Sequence, residues 1–185
     1  KNILVTFHPV TLEQATAKEQ FQELLDAVDT LNDTHIIFTK ANSDTDGRII
    51  NNMIDRYVIN NADKSVVFTS LGQLRYLSAL QYIDAMVGNS SSGLAEAPSF
   101  KIGTINIGDR QKGRIKAGSI IDCFPEKESI NKAFEKLYSK DFMGILRDIE
   151  NPYGSGGASK KIKDRIKVFN LKDILKKSFF DLQVN

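Results

Sequence analysis

Short runs of β-branched and other apolar residues, most of them separated by helical periods of ten residues or more, leave this chain few folds to choose from. Ile3–Phe7, His35–Thr39, Ser65–Thr69, Ala85–Gly88, Thr104–Ile107 and Ser119–Asp122 read as strands. Between them, Phe21, Leu24, Leu25, Val28 and Leu31 fall on one helical face. Ile49, Ile50, Met53, Ile54 and Tyr57 mark a second, and Leu74, Leu77 and Leu80 a third, with Ile83 near its end. Thr11 and Gln14 have the spacing of a capping box before the first helix. Asn89–Gly93 reads as a tight polar turn and Leu94–Phe100 as a short helix. Strands joined by helices imply parallel crossovers, so the expected fold is α/β: a doubly wound, parallel, six-stranded, Rossmann-like sheet in the order 3-2-1-4-5-6. That order reverses between strands one and four. A ligand crevice is therefore expected between His8-Pro9 and Asn89-Ser90-Ser91-Ser92-Gly93.

The remaining chain is helical over 126–149 (Ile130, Phe134, Leu137), broken at Asn151–Gly157, then basic and amphipathic. Ile162, Ile166 and Phe169 mark one segment, and Leu171, Ile174, Leu175 and Phe179 a last one. The glycine-rich break reads as a sharp turn within one unit, so 1–185 is expected to be a single domain. Its length suffices for a sizeable core. No run reaches the roughly 18 apolar residues of a membrane span. No charged leader with a short apolar segment is visible, so a soluble, cytoplasmic domain is expected. The chain begins at Lys1, inside a strand pattern, which fits a start within a longer protein. One cysteine, Cys123, excludes an internal disulfide, and with two histidines it is too little for a structural zinc site. Neither a metal nor any other cofactor is called for.

The net charge of +2 hides an asymmetry. Residues 1–100 carry 7 basic and 12 acidic side chains, residues 101–185 carry 18 and 11. The basic excess is spread along helical faces and lacks the interleaved aromatics of a nucleic-acid surface, so no nucleic-acid partner is expected.

Few residues stand out as chemistry. The serine turn pairs small residues with the start of a helix, which suits a phosphate, but serine is also an ordinary helix cap, and pattern alone leaves both readings. Neither a Walker A motif nor GxGxxG is present. His8 stands at the predicted crevice as either a structural or a reactive histidine. Asp44 and Asp46 suit a turn feeding Gly47 better than a metal site. The loop Gly108–Arg114 carries three cations, two of them between its glycines, as a solvated loop or a phosphate contact. Glu96 lies one short helix beyond the serine turn, within reach of a ribose.

Taken together, the segments Val5-Thr6-Phe7-His8-Pro9-Val10-Thr11, Asn42–Arg48, Val87–Pro98 with Gly88-Asn89-Ser90-Ser91-Ser92-Gly93, Asn106–Arg114 and Asn151-Pro152-Tyr153-Gly154 resemble the UDP-N-acetylglucosamine 2-epimerases. The likeness is greater to their hydrolysing branch, used in sialic-acid-type sugar synthesis, and it extends over about 150 residues in order. The resemblance implies a GT-B architecture of two Rossmann-like domains, of which this chain looks like the C-terminal, UDP-binding one. Residues 158–185 would then pack toward an N-terminal domain of the same protein rather than on a membrane. It further implies that His8 lies near the diphosphate, Asn42 in the site, and Thr69 where backbone groups hold the uracil. Ser90 and Ser91 match the diphosphate serines, Glu96 the ribose carboxylate, and Arg110 an arginine facing the nucleotide. Ala41 stands where the family pattern has proline, and Ser155-Gly156-Gly157 varies the loop after Gly154.

The implied reaction removes the C2 proton of a UDP-sugar, eliminates UDP to a glycal, and adds water to release the 2-epimeric sugar. The family's catalytic carboxylates come mainly from the N-terminal domain. This chain would supply the leaving-group side, with His8, of unperturbed pKa about 6.5, as a candidate general acid. A GT-B glycosyltransferase domain and a non-catalytic nucleotide-sugar binding domain are the alternatives. Assembly of several copies is compatible with the sequence, which does not choose among UDP-sugars.

Overall fold

The computed structural model describes residues 1–10, 16–42, 45–172 and 175, with the backbone alone at Thr45. Thr11, Gln14, Asp44, Ile174 and Phe179, to which the sequence reading assigned caps, turns or helix faces, lie outside the described residues. The described chain divides into two compact units, Lys1–Tyr153 and Gly154–Asn185.

In the first unit the strands are β1 (Asn2–Thr6), β2 (His35–Thr39), β3 (Ser65–Phe68), β4 (Ala85–Gly88), β5 (Gly103–Ile107) and β6 (Ile120–Cys123). All pair in parallel in the order β3-β2-β1-β4-β5-β6, the expected topology. The helices are α1 (Ala17–Val28), α2 (Thr45–Asn60), α3 (Gly72–Ala79), α4 (Ser92–Ala95), α5 (Lys127–Leu137) and α6 (Lys140–Arg147). A 3-10 turn over Ala97–Phe100 follows α4.

The two faces of the sheet are covered unequally. On one face Ile3, Val5, Ile36, Phe38, Val87 and Ile105 pack against Phe21 and Leu24 of α1, Ile50 and Ile54 of α2, and Ile130 and Phe134 of α5. Among the described residues the opposite face meets short pieces: Leu4 and Met86 pack with Leu80, Ile83, Ala97 and Ile102.

Periodicity misplaces two residues and one helix. Leu74 is 82% exposed, because the eight-residue α3 turns Tyr76 and Leu77 toward the sheet; Ile49 is likewise exposed. The expected helix over 126–149 is two, since Ser139 starts a new one by accepting a hydrogen bond from the Phe142 amide at 3.2 Å. The short helix also begins earlier than expected, at Ser92, and changes to 3-10 geometry around Pro98.

The second unit contains α7 (Ala158–Val168), preceded by Gly157 at φ +76°. Ile162, Ile166 and Phe169 are exposed. Among the described residues, no helix is long and apolar enough to cross a membrane.

Candidate functional site

At the C-terminal ends of β1 and β4 the two strands come unusually close. Thr6 is in register with Gly88, whose φ is +133°; a Cβ there would stand 1.9 Å from the Thr6 carbonyl oxygen. Only glycine fits, and the next residue, Asn89, is thereby set directly against the turn after β1.

Asn89 is almost wholly buried and joins three loops. Its side-chain oxygen accepts from the His8 amide at 2.7 Å, and its side-chain nitrogen donates to the His8 carbonyl at 2.7 Å. Its own carbonyl accepts from Gln111 Nε2 at 2.8 Å and Arg110 Nη1 at 3.1 Å. Gln111 is buried, so it anchors the Gly108–Arg114 loop and leaves Arg110 exposed at the rim. The loops after β1, β4 and β5 are thus one hydrogen-bonded unit.

A crevice of about 550 Å³ opens beside this hub. Its floor includes Thr6 and Thr39, whose buried hydroxyls pair at 2.5 Å. His8, Asn42, Thr69, Ser90 and Glu96 all line it, so five of the seven residues carried over by resemblance share one concave surface. Ser91, at the α4 N-cap, and Arg110 do not line the crevice; Arg110 is held by the carbonyl of Asn89, the residue before Ser90.

Other motif segments act as supports. Asn51 Oδ1 accepts from the Ala41 amide at 2.8 Å. A proline at 41 has no such N–H, so the departure from the family pattern comes with its own hydrogen bond. Asn151 Nδ2 donates to the Ala95 carbonyl and to Ser99 Oγ, each at 2.7 Å, bracing the segment that carries Glu96. Tyr153 donates to the Ile115 carbonyl at 3.0 Å.

Sequence reasoning did not single out Asn89, Gln111, Lys40 or Tyr76. Lys40 lines the crevice and pairs with Asp55 at 2.8 Å. Burial pushes the Tyr76 hydroxyl up to about 12, with the charge of Glu96 acting in the same direction and the Ser92 hydrogen bond opposing. The sequence signal for Asn89 and Gln111 was their place inside motifs. Tyr76 carried none.

A second crevice of about 440 Å³ lies at the ends of β5 and β6, lined by Val10, Ile107, Cys123, Phe124 and Pro125 among others. None of the residues carried over by resemblance lines it. Burial, then the neighbouring Asp122, pushes the Cys123 thiol up to about 12, which makes it a poor nucleophile. Among the described residues, no group of three His, Cys, Asp or Glu could hold a metal ion.

Similarity to known proteins points the same way as the crevice. The profile of the UDP-N-acetylglucosamine 2-epimerase family matches residues 1–167. A hydrolysing GDP/UDP-N,N'-diacetylbacillosamine 2-epimerase of Campylobacter jejuni is 45% identical over 180 residues, 97% of this chain and 46% of the relative. The polysialic acid biosynthesis protein P7 of Escherichia coli is 38% identical over 187 residues, again 97% and 46%. The chain therefore spans about half the length of these relatives. The crystal structure of a Neisseria meningitidis UDP-GlcNAc 2-epimerase bound to UDP-GlcNAc superposes with a TM-score of 0.71 at 16% identity, over 90% of this chain and 44% of that one. At that identity the likeness shows the fold.

Proposed function

The chain belongs to the UDP-N-acetylglucosamine 2-epimerase family, and on that premise we propose that it is the UDP-binding, C-terminal domain of a hydrolysing UDP-sugar 2-epimerase with a GT-B architecture. The observation that carries this reading is the convergence of His8, Asn42, Thr69, Ser90 and Glu96 on one crevice at the reversal of strand order. His8 and Ser90 meet the diphosphate, with Ser91 and Arg110 adding donors at its edge. Glu96 meets the ribose, and Asn42 and the backbone at Thr69 meet the rest of the nucleotide.

The chemistry divides between two domains. A base removes the C2 proton of the sugar, the C1–O bond to UDP breaks with its electron pair leaving on the diphosphate, and water adds to the resulting glycal. In this division the present chain stabilises the departing diphosphate. Donors held in place before the reaction are worth more than donors that must reorient, and here Asn89 does the holding. His8 acts as the general acid that protonates the leaving phosphate. The base comes from an N-terminal domain of the same protein, onto which the exposed apolar face of α7 and the residues after it pack. The relative named for polysialic acid biosynthesis supports a role in sialic-acid-like sugar synthesis.

The test is the full-length protein with UDP-N-acetylglucosamine or its diacetamido relatives, with and without a sugar acceptor. Release of UDP together with a free 2-epimeric sugar, independent of acceptor, is expected. Transfer to the acceptor instead would make the protein a glycosyltransferase. His8→Ala should lower turnover about 100-fold or more; unchanged turnover would remove His8 from the chemistry. Flotation with liposomes should leave the protein in solution, and co-flotation would assign the basic α7 to a membrane surface.

A further inference from the structure

Tyr76 belongs to α3 and Glu96 to the far end of α4, elements that share no strand and no turn. Yet both side chains line the same crevice, and one serine lies between them. Tyr76 Oη and Ser92 Oγ are 2.5 Å apart, and Ser92 Oγ is hydrogen-bonded in turn to Glu96 Oε2. The direction of this chain follows from the groups themselves. A carboxylate only accepts, so the Ser92 hydroxyl donates to Glu96; its oxygen is then left to accept, and the phenol donates to it. The other acceptor near the phenol, Met86 Sδ at 3.7 Å, is a weak one. The phenol of Tyr76 keeps its proton well above neutral pH, as this direction requires.

The serine turn is thereby divided. Ser90 and Ser92 both line the crevice, but the hydroxyl of Ser92 is committed to Tyr76 and Glu96. Three consecutive serines look equivalent in the sequence, but the third serves a carboxylate. Glu96 needs such help, being exposed at the end of a four-residue helix, where an unrestrained carboxylate samples several rotamers.

We propose that Tyr76 and Ser92 are positioning residues that hold the Glu96 carboxylate toward the ribose hydroxyls, so that the site discriminates ribonucleotides from their deoxy analogues. This deepens the UDP reading above and rests on it. Hydrogen bonds in series polarise one another, so removing the phenol weakens the hold on Glu96.

The experiment is calorimetric titration of the full-length protein with UDP and with 2′,3′-dideoxyuridine diphosphate. Glu96→Gln sets the ratio of the two affinities when the carboxylate is lost. Tyr76→Phe keeps the ring and its packing on Met86, and is expected to weaken UDP about 3- to 10-fold while changing the dideoxy analogue less than about 2-fold. Ser92→Ala should give the same narrowing of the ratio, and the double variant no more than either single one, since both cut the same chain. Equal weakening of both ligands, or an undiminished preference for UDP in Tyr76→Phe, would overturn the positioning role while leaving UDP binding intact. Absence of UDP binding by the unaltered protein would instead overturn the proposed function, and the relay with it.

Discussion

On one wall of the crevice His8 and Ser90 flank a buried asparagine that also holds Arg110 beyond the lining, while on the other Asn42 and Thr69 stand exposed near the ends of β2 and β3. The first wall is built by bonds between residues 81 and 21 positions apart in sequence. The second follows directly from two strand ends. The contrast matches the two halves of the proposed ligand. A diphosphate that must leave with its charge needs donors already in place, so order there lowers the barrier. A base held through backbone groups needs mainly a slot of the right width.

The largest effect should come from closing the gap on which the first wall depends. In Gly88→Ala the new Cβ meets the Thr6 carbonyl oxygen at 1.9 Å in a backbone region that side chains rarely adopt. The expected loss is about 4 kcal/mol or more in denaturant unfolding. An unchanged unfolding midpoint would mean that β1 and β4 separate freely, and that the ordered wall is not ordered by their contact.

Next is the hub itself. Asn89→Ala removes both hydrogen bonds that tie the His8 backbone to Asn89 in a part-buried setting. A loss of about 2–3 kcal/mol in stability is expected, and UDP affinity should fall about tenfold or more as His8 and the serine turn lose their common anchor. If stability falls but affinity does not, the ligand itself can order this wall, and the distinction between the walls disappears.

Alkaline pH acts through tyrosines whose protons the fold retains, one of them lining the crevice. Tyr76 and Tyr138 are pushed up from 10.0 to about 12, chiefly by burial. Burial also raises Tyr57, further still, helped by its hydrogen bond to Asp29. For a group with a raised folded pKa, stability is fully present below the unfolded value and is lost as pH rises toward the folded one. Melting temperature should therefore be level up to about pH 9 and fall between about pH 10 and 12. The fall should be shallower in Tyr76→Phe. An equally steep fall in that variant would assign the alkaline loss to the other tyrosines and to Cys123, away from this crevice.

How far the sequence reached differs between the walls for the same reason. Strand order and the place of the crevice follow from parallel crossovers, which are local patterns with a global consequence. Thr69 and Asn42 were located by resemblance, which carried them to positions at or just beyond the ends of strands that the apolar runs mark. Asn89 and Gln111 were visible only as letters inside motifs. Their work is long-range hydrogen bonding, and no periodicity encodes a partner 81 residues away. Tyr76 was hidden by a similar limit. A three-residue spacing put Leu74 on the inner face of α3, whereas the short helix turns Tyr76 inward and leaves Leu74 to solvent. Strand order located the serine turn and resemblance assigned Ser90 and Ser91 to the diphosphate; the geometry adds that the Ser92 hydroxyl donates to Glu96.

The smallest effect is the one that best isolates the second wall. If the base is held by backbone groups there, the Thr69 hydroxyl contributes nothing specific. Thr69→Val keeps the β-branched shape that favours extended backbone at the end of β3 and removes only the hydroxyl. Thr69 is exposed, so the change should leave unfolding free energy within about 0.5 kcal/mol. UDP affinity by calorimetry should stay within about twofold, since a neutral hydrogen bond on an exposed wall is worth little beyond that. A loss of tenfold or more would show that the side chain binds the ligand directly. The second wall would then present fixed side-chain donors like the first, and the division between an ordered diphosphate end and an open base end would fail.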